Sequence, residues 1–482
     1  MKKTHFRFLY LFAVIPFLTF SADLAVETPA PQILRTACRE RQCLNGYWKF
    51  YPLYKEDNVE EKIPAPGSGW GAFKVPGVWT GAFRARLPEE RVRKEAWHSA
   101  WYARDFLVPE SAGWKRAILS VEHIQTRAEV HVDGRKAGTI LFPGGDLDIT
   151  PFIRPGHSQT LQLLVTSLPL KSEHYSIMDG NNVFKIAAEV AIKGINGDVF
   201  LHLVPESRID GTQFITSTRN RTITFSSELN GLRPGVAYAM GAELFDRNGK
   251  KVRKFVSKSF RAEDVEQGVF RFTASWSDPE LWDLHTPQNL YTGVMTLFAN
   301  GKPLDITLPE RFGFREFRIE GRNYLLNDTV IHLRSYFLSN FCNQWETEYS
   351  SKSSARSIYE RLRQYGFNFT ISKNYNFKEG AVAYLRGTFD AADEFGHLWS
   401  FSLPHPWQFG DLTRPENLER FMGMAGYLIR KYRNHPSIVL WVSNHNHGGA
   451  WGDQNPLRIG GEYKRANARQ ERETKEKARN NF

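Results

Sequence analysis

The strongest constraint on this chain is a change of periodicity near Asn323. Before it, short alternating segments are punctuated by Gly and Pro, and after it strand and helix patterns alternate as far as Val442. Alternation with period two belongs to half-buried strands. Strand, helix, strand order belongs to a parallel sheet, because parallel strands need a crossover. A chain of 482 residues that contains both patterns is a multidomain protein, and length alone suggests about three domains. Its 13 Trp and 35 Phe supply material for several cores and exclude a disordered chain.

From Leu44 to Pro205 the pattern is that of a β-sandwich or jelly roll, with strands at Tyr102 to Val108, Ala117 to Val121, Ala128 to Val132 and, closing the series, Leu161 to Val165. Asp133-Gly134 reads as a hairpin turn. A second block, Arg208 to Phe317, has strands at Thr222 to Ser226, Val236 to Leu244, Val269 to Thr273 and Tyr291 to Phe298, with turns at Asn248-Gly249 and Asn300-Gly301. It fits an immunoglobulin-like sandwich. Beyond it, strands are predicted at Val330 to Tyr336, Phe367 to Ser372, Leu398 to Phe401 and Ile438 to Val442, and helices at Ser354 to Tyr365, Glu379 to Phe395 and Pro415 to Tyr432. Four βα units make an open wound sheet or an incomplete (β/α)8 (TIM) barrel. The predicted domains are therefore 32–205, 206–317 and 318–461, followed by a charged tail at 462–482 with no apolar stripe.

The first residues bear on compartment. Lys2, Lys3 and Arg7 precede an apolar stretch from Phe8 to Phe20, and Thr19-Phe20-Ser21 offers a cleavage site, so residues 1–21 read as a signal peptide cut near Ser21 or Ala22. The mature protein is expected to be exported, periplasmic or secreted, with no membrane span. The net charge of +11 is scattered except for the run from Lys464 to Arg479, and no nucleic-acid motif accompanies it. Cys38, Cys43 and Cys342 are too few for a disulfide framework. Cys38 and Cys43 are close enough in sequence to pair, leaving Cys342 as a buried thiol.

Between Leu44 and Trp451 the sequence resembles glycoside hydrolase family 2, the β-galactosidase, β-glucuronidase and β-mannosidase group. The resemblance is carried, in the family's order, by Leu44-Asn-Gly-Tyr-Trp-Lys-Phe, Val75-Pro-Gly-Val-Trp79, Trp101-Tyr-Ala-Arg-Asp-Phe, Val130-His-Val-Asp-Gly, Gly194-Ile-Asn-Gly-Asp-Val199, Phe312-Gly-Phe-Arg-Glu-Phe317, Asp390-Ala-Ala-Asp-Glu-Phe-Gly396 and Arg433-Asn-His-Pro-Ser-Ile-Val-Leu-Trp441. It implies a sugar-binding-like jelly roll, an immunoglobulin-like sandwich and a partial barrel, with hydrolysis of terminal β-glycosidic bonds and carbohydrate as the partner. It implies no cofactor.

The same resemblance locates the chemistry. Retaining glycosidases use two carboxyl groups about 5–5.5 Å apart. The family's acid/base Glu follows an Asn at the end of the fourth strand, and here that pair reads Asn444-His445. Imidazole transfers protons near neutrality, so His445 is the candidate acid/base. The nucleophile belongs to a seventh strand, and no residue of 1–482 is assigned to it, so this chain is expected to be inactive or impaired. The family's strand-two Arg falls on Ile371, the following His on Asn374, and a Gly of the first barrel strand on Ser335. Asn444, Trp441, Asn374, Trp399 and Trp451 are the expected substrate contacts.

Other readings compete. His445 and His447 have ligand-pair spacing, and Asp453, His405 or His435 could complete a metal site, but polar residues lining a sugar site are the simpler account, and no metal is assigned. Trp79 and Trp101 are expected to be framework. A non-catalytic glycan-binding protein is the alternative function.

Overall fold

The computed structural model describes residues 31–54, 62–65, 69–79, 85–88, 97–110, 113–167, 173–178, 182–187, 193–338, 352–372, 386–403, 414–442, 472–473 and 476. The first unit packs two antiparallel sheets. One orders Gln32–Arg35, Glu40–Cys43, Val199–Val204, Arg116–Val121 and Gly145–Asp148. The other orders Arg135–Leu141, Arg127–Val132, Ser158–Thr166, Ser99–Leu107, Gly46–Leu53, Gly71–Val75 and Ala85–Arg86. Alternate residues of facing strands, among them Trp48, Phe50, Phe73, Tyr102, Leu119, Val130, Leu163 and Leu201, fill the space between. The series does not close at Val165: Val199–Val204 returns to pair with both Glu40–Cys43 and Arg116–Val121. Asp133 and Gly134 both take positive φ, 49° and 80°, as a two-residue hairpin turn requires.

The second unit is also a sandwich. Arg208–Ser217, Thr222–Asn230 and Val269–Ser275 form one sheet, and Lys251–Val256, Tyr238–Phe245, Leu290–Ala299 and Lys302–Ile306 the other, with Glu310–Gly313 also paired to Leu290–Ala299. Phe214, Phe225, Met240, Leu244, Met295, Leu297 and Phe312 make its core. Asn300 and Gly301 again form a turn with positive φ. At the predicted Asn248-Gly249 turn only Gly249 has positive φ, because the Asp246 carboxylate accepts the N–H groups of Asn248 and Lys250 and shapes a longer loop.

The strand predicted over Val330 to Tyr336 is two strands. Thr329–Ile331 pairs antiparallel with Asn323–Leu326, which pairs in turn with Phe317–Glu320. After His332 to Arg334 the chain enters the parallel sheet as β1, Ser335–Leu338, followed by β2, Phe369–Ser372, β3, Leu398–Ser402, and β4, Ile438–Val442, in that spatial order. Helices α1, Lys352–Gln364, α2, Arg386–Phe395, and α3, Pro415–Tyr432, connect them. Each helix buries a stripe: Ala355, Tyr359 and Leu362 on α1, Phe389 and Ala392 on α2, and Phe421, Met424, Ala425, Leu428 and Tyr432 on α3. In α3, Pro415 opens the first turn and Arg430 and Lys431 sit in the last, where fixed φ and positive charge suit helix ends. Residues 379–385 of the predicted Glu379 to Phe395 helix lie outside the described residues, as do 1–30 and most of the charged tail. Among the described residues no helix is long and apolar enough to cross a membrane.

Candidate active site

In parallel α/β units, ligands bind at the carboxyl ends of the strands. Here those ends are tied together. The backbone N–H of Ser402 in β3 donates to the Ser372 Oγ, 2.8 Å, and the Ser402 hydroxyl donates to the Ser372 carbonyl, 2.6 Å. The N–H of Leu403 donates to the carbonyl of Val442, 2.9 Å, so β4 ends in register beside β3. This fixes the point from which the chain continues to Asn444 and His445. Those two residues, with Asn374, Trp451, His405, His447, Asp453 and Cys342, lie outside the described residues.

Of the expected contacts, Trp441 and Trp399 are described. Trp441 is half-buried and packs edge-on against Phe401, centroids 5.4 Å apart, on the side facing the helices. Trp399 is fully buried, and its indole N–H donates to the Tyr359 hydroxyl of α1, 3.0 Å. It has no open face, so the expectation that it touches sugar is corrected: it belongs to the helix-facing core. Trp79 is likewise framework, its indole N–H donating to the Tyr102 hydroxyl at 2.6 Å. Trp101 lies buried beneath Tyr51 and Trp70.

A second polar cluster sits at the opposite end of the sheet. Asp393 of α2 faces His435, Nδ1 to Oδ2 2.6 Å, and accepts the Ser437 N–H, 3.1 Å. Arg311, from the second sandwich, reaches Asp390 at 2.6 Å, Asp393 at 3.2 Å and Glu394 at 2.7 Å. Burial works to raise the Asp393 pKa, but His435 and Arg311 outweigh it and hold the carboxyl below the usual range. Burial works to lower the Arg311 pKa, and the carboxylates around it reverse the sign. Asp390, Asp393 and His435 converge within 4.8 Å, the reach of a metal site, yet the guanidinium stands among the two carboxylates. His435 precedes β4, about 15 Å of extended strand from its carboxyl end at Val442.

The Arg433-Asn-His-Pro-Ser437 run is a joint rather than only the approach to β4. Arg433 pairs with Glu228 at 2.9 Å. Asn434 donates to the Thr212 carbonyl, 2.7 Å, and to Glu310, 2.5 Å, and accepts the Phe214 N–H, 3.0 Å. Arg315, half-buried and with desolvation pulling its pKa down to about 10, donates to the carbonyls of Pro436 and Ile438. Motif spacing pointed to this run, but its partners in the second sandwich are more than 100 residues away. The two free cysteines among the described residues, Cys38 and Cys43, do not pair: Cys43 lies in Glu40–Cys43, which runs away from the turn that holds Cys38.

The sequence model of the family described as Glycosyl hydrolases family 2 matches residues 207–315, the second sandwich. The chain is similar to a putative beta-glucuronidase of Formosa agariphila, 24% identical over 84% of this chain and 46% of that protein. It is also similar to a beta-galactosidase of Bacteroides ovatus, 21% identical over 86% and 47%. The chain thus spans about half the length of the curated relatives it matches. Among solved structures, a b-glucuronidase from Ruminococcus gnavus in complex with a C6-substituted uronic isofagomine aligns with TM-score 0.62 at 20% identity, covering 86% of this chain and 68% of that one. A family 2 member from Bacteroides cellulosilyticus aligns with TM-score 0.61 at 17% identity, covering 83% and 52%. The fold is multidomain and mostly β, and it fits that of these family 2 structures. Taken together, these matches support a glycoside hydrolase family 2 protein.

Proposed function

We propose that residues 1–482 form the leader, jelly roll, immunoglobulin-like sandwich and first four βα units of an exported retaining β-glycosidase that cleaves terminal β-linked sugars. The observation that carries this reading is β4: a parallel strand, in register with β3 at Val442, that leads into Asn444-His445 where the family has Asn-Glu. In this reading His445 donates a proton to the leaving oxygen and later withdraws one from water, and Asn444 lines the sugar, while Trp441, on the helix-facing side against Phe401, supports the strand end. Asn374 and Trp451 complete the contacts from neighbouring loops. A retaining mechanism also needs a carboxylate about 5–5.5 Å from the acid/base, which the resemblance assigns to a strand beyond these four units, so residues 1–482 alone should turn over weakly or not at all.

The test is release of aryl alcohol from aryl β-glucuronides and β-galactosides by the purified chain. Turnover that disappears in His445→Ala supports the assignment. Turnover unchanged by that substitution sinks the role of His445, and none with any β-glycoside sinks catalysis by these residues alone.

A further inference from the structure

The seven-stranded sheet of the first unit has a second face. Trp48, Phe50, Phe73 and Val75 point into the core, so Tyr47, Lys49 and Tyr51 point outward from the same strand. Lys74 is paired across from Tyr47, and Ala72 and Ala103 flank Lys49. Arg86 pairs with Ala72, and its guanidinium lies 5.4 Å from the centroid of the Tyr47 ring. Tyr51 and Trp70 are a tilted ring pair, centroids 5.6 Å apart, over a buried floor of Trp101, Leu53 and Leu164. The face therefore has two aromatic stations, Tyr47 and Tyr51 with Trp70, about 13 Å apart along the strand.

Around Tyr47 the charge among the described residues is mostly basic. Lys49, Lys74 and Arg86 are exposed. The carboxylate beside them is Asp105, 4.0 Å from Lys49 and already accepting the Thr160 hydroxyl at 2.7 Å. Lys74 and Arg86 have no ion-pair partner among the described residues.

We propose that this outer face binds an acidic polysaccharide. Pyranose rings would lie on the two aromatic stations, and carboxylate or sulfate groups along the chain would meet Lys49, Lys74 and Arg86. Tyr and Trp present large apolar faces at small entropic cost, and the ring contacts above already orient them. Ammonium and guanidinium groups supply charge-assisted hydrogen bonds to the anions. The spacing of the stations suits an extended chain better than a single ring. The surface is remote in sequence from the ends of the parallel strands and needs no turnover, so it can succeed or fail independently of the glycosidase reading.

The experiment is calorimetric titration of the full chain with polygalacturonate, with dextran sulfate and with unmodified dextran. Binding is expected to at least one acidic polymer, tenfold or more tighter than to dextran, and weakening as NaCl rises and screens the contacts. The two acidic polymers distinguish carboxylate from sulfate. Tyr47→Ala with Tyr51→Ala should weaken binding by about tenfold, ~1.4 kcal/mol. Lys49→Gln with Lys74→Gln, at exposed positions that folding tolerates, should weaken it similarly and reduce its salt dependence, while His445→Ala leaves it unchanged. No binding to either acidic polymer, equal binding to dextran, or binding indifferent to the lysine pair in a folded variant overturns the proposal.

Discussion

Asp393 is buried among groups that keep it ionised, and its cost and benefit are both large. Removing one partner of a buried ion pair leaves the others uncompensated, typically at about 3–5 kcal/mol. Asp393→Ala should cost that order of stability in denaturant titration, because His435, Arg311 and the Ser437 N–H all lose an acceptor; a loss under about 1 kcal/mol would show that the cluster is not a structural joint. His397 makes a pH argument at the same scale. Its ring stacks on Tyr359 with centroids 4.7 Å apart, Nε2 lies 2.8 Å from the Thr370 hydroxyl, and burial lowers its pKa to about 3. Burial likewise lowers that of His202 to about 4. Between those values and the ordinary ~6.5 the unfolded chain binds more protons, so stability must fall as pH falls through that window. Melting temperature should drop steadily from pH 7 to pH 4, and His397→Gln should flatten part of the slope. A slope identical in the variant would place the titration elsewhere.

At the scale of elements, the seam between the second sandwich and the parallel unit depends on close approach. A Cβ on Gly313 would meet Pro436 at 2.7 Å and Trp282 at 3.0 Å, and Trp282 is itself fully buried, its indole N–H donating to the Asp393 carbonyl at 2.7 Å. Gly313→Ala should therefore push the Glu310–Gly313 strand away from the start of β4 and cost about 1–3 kcal/mol, as overpacking does. Gly249→Ala meets no atom within 4 Å but keeps a φ of +77°, so it should cost about 1 kcal/mol through backbone strain alone. Measured by thermal denaturation, a larger loss at Gly249 than at Gly313 would contradict the close-packed seam.

For the whole molecule, Glu122 holds the first sandwich to the helices. Its carboxylate meets Arg386 at 3.2 Å and Lys431 at 3.1 Å, and its carbonyl accepts the Tyr427 hydroxyl at 2.9 Å. Arg386 also lies 3.7 Å from Asp198. Lys431 is mostly buried; burial works to lower its pKa, with Glu122 opposing. Glu122→Ala leaves that charge without its main partner, so calorimetry should show the first sandwich and the parallel unit unfolding in separate transitions where the parent chain couples them. A single unshifted transition would mean that apolar contacts alone dock the two.

What the sequence by itself determined is local. Val-Asp-Gly-Arg and Ala-Asn-Gly-Lys fixed their turns because Asp, Asn and Gly tolerate positive φ, and the stripes of α1 and α3 marked the faces they bury. The all-apolar run Ile438 to Val442 marked a strand inside a parallel sheet. The family resemblance, for its part, pointed to the carboxyl end of that strand as the place of the chemistry. Only the tertiary structure decided which layer Trp399 faces, since Leu398–Ser402 is buried on both sides and its alternation of Trp399 and Phe401 with Ser400 and Ser402 does not say which side meets the helices. It also decided that Val330 to Tyr336 breaks, because pairing with Asn323–Leu326 competes with entry into the parallel sheet. The same holds for His435, whose partner is Asp393: electrostatic partners brought together across 42 to 124 residues leave no trace in local spacing.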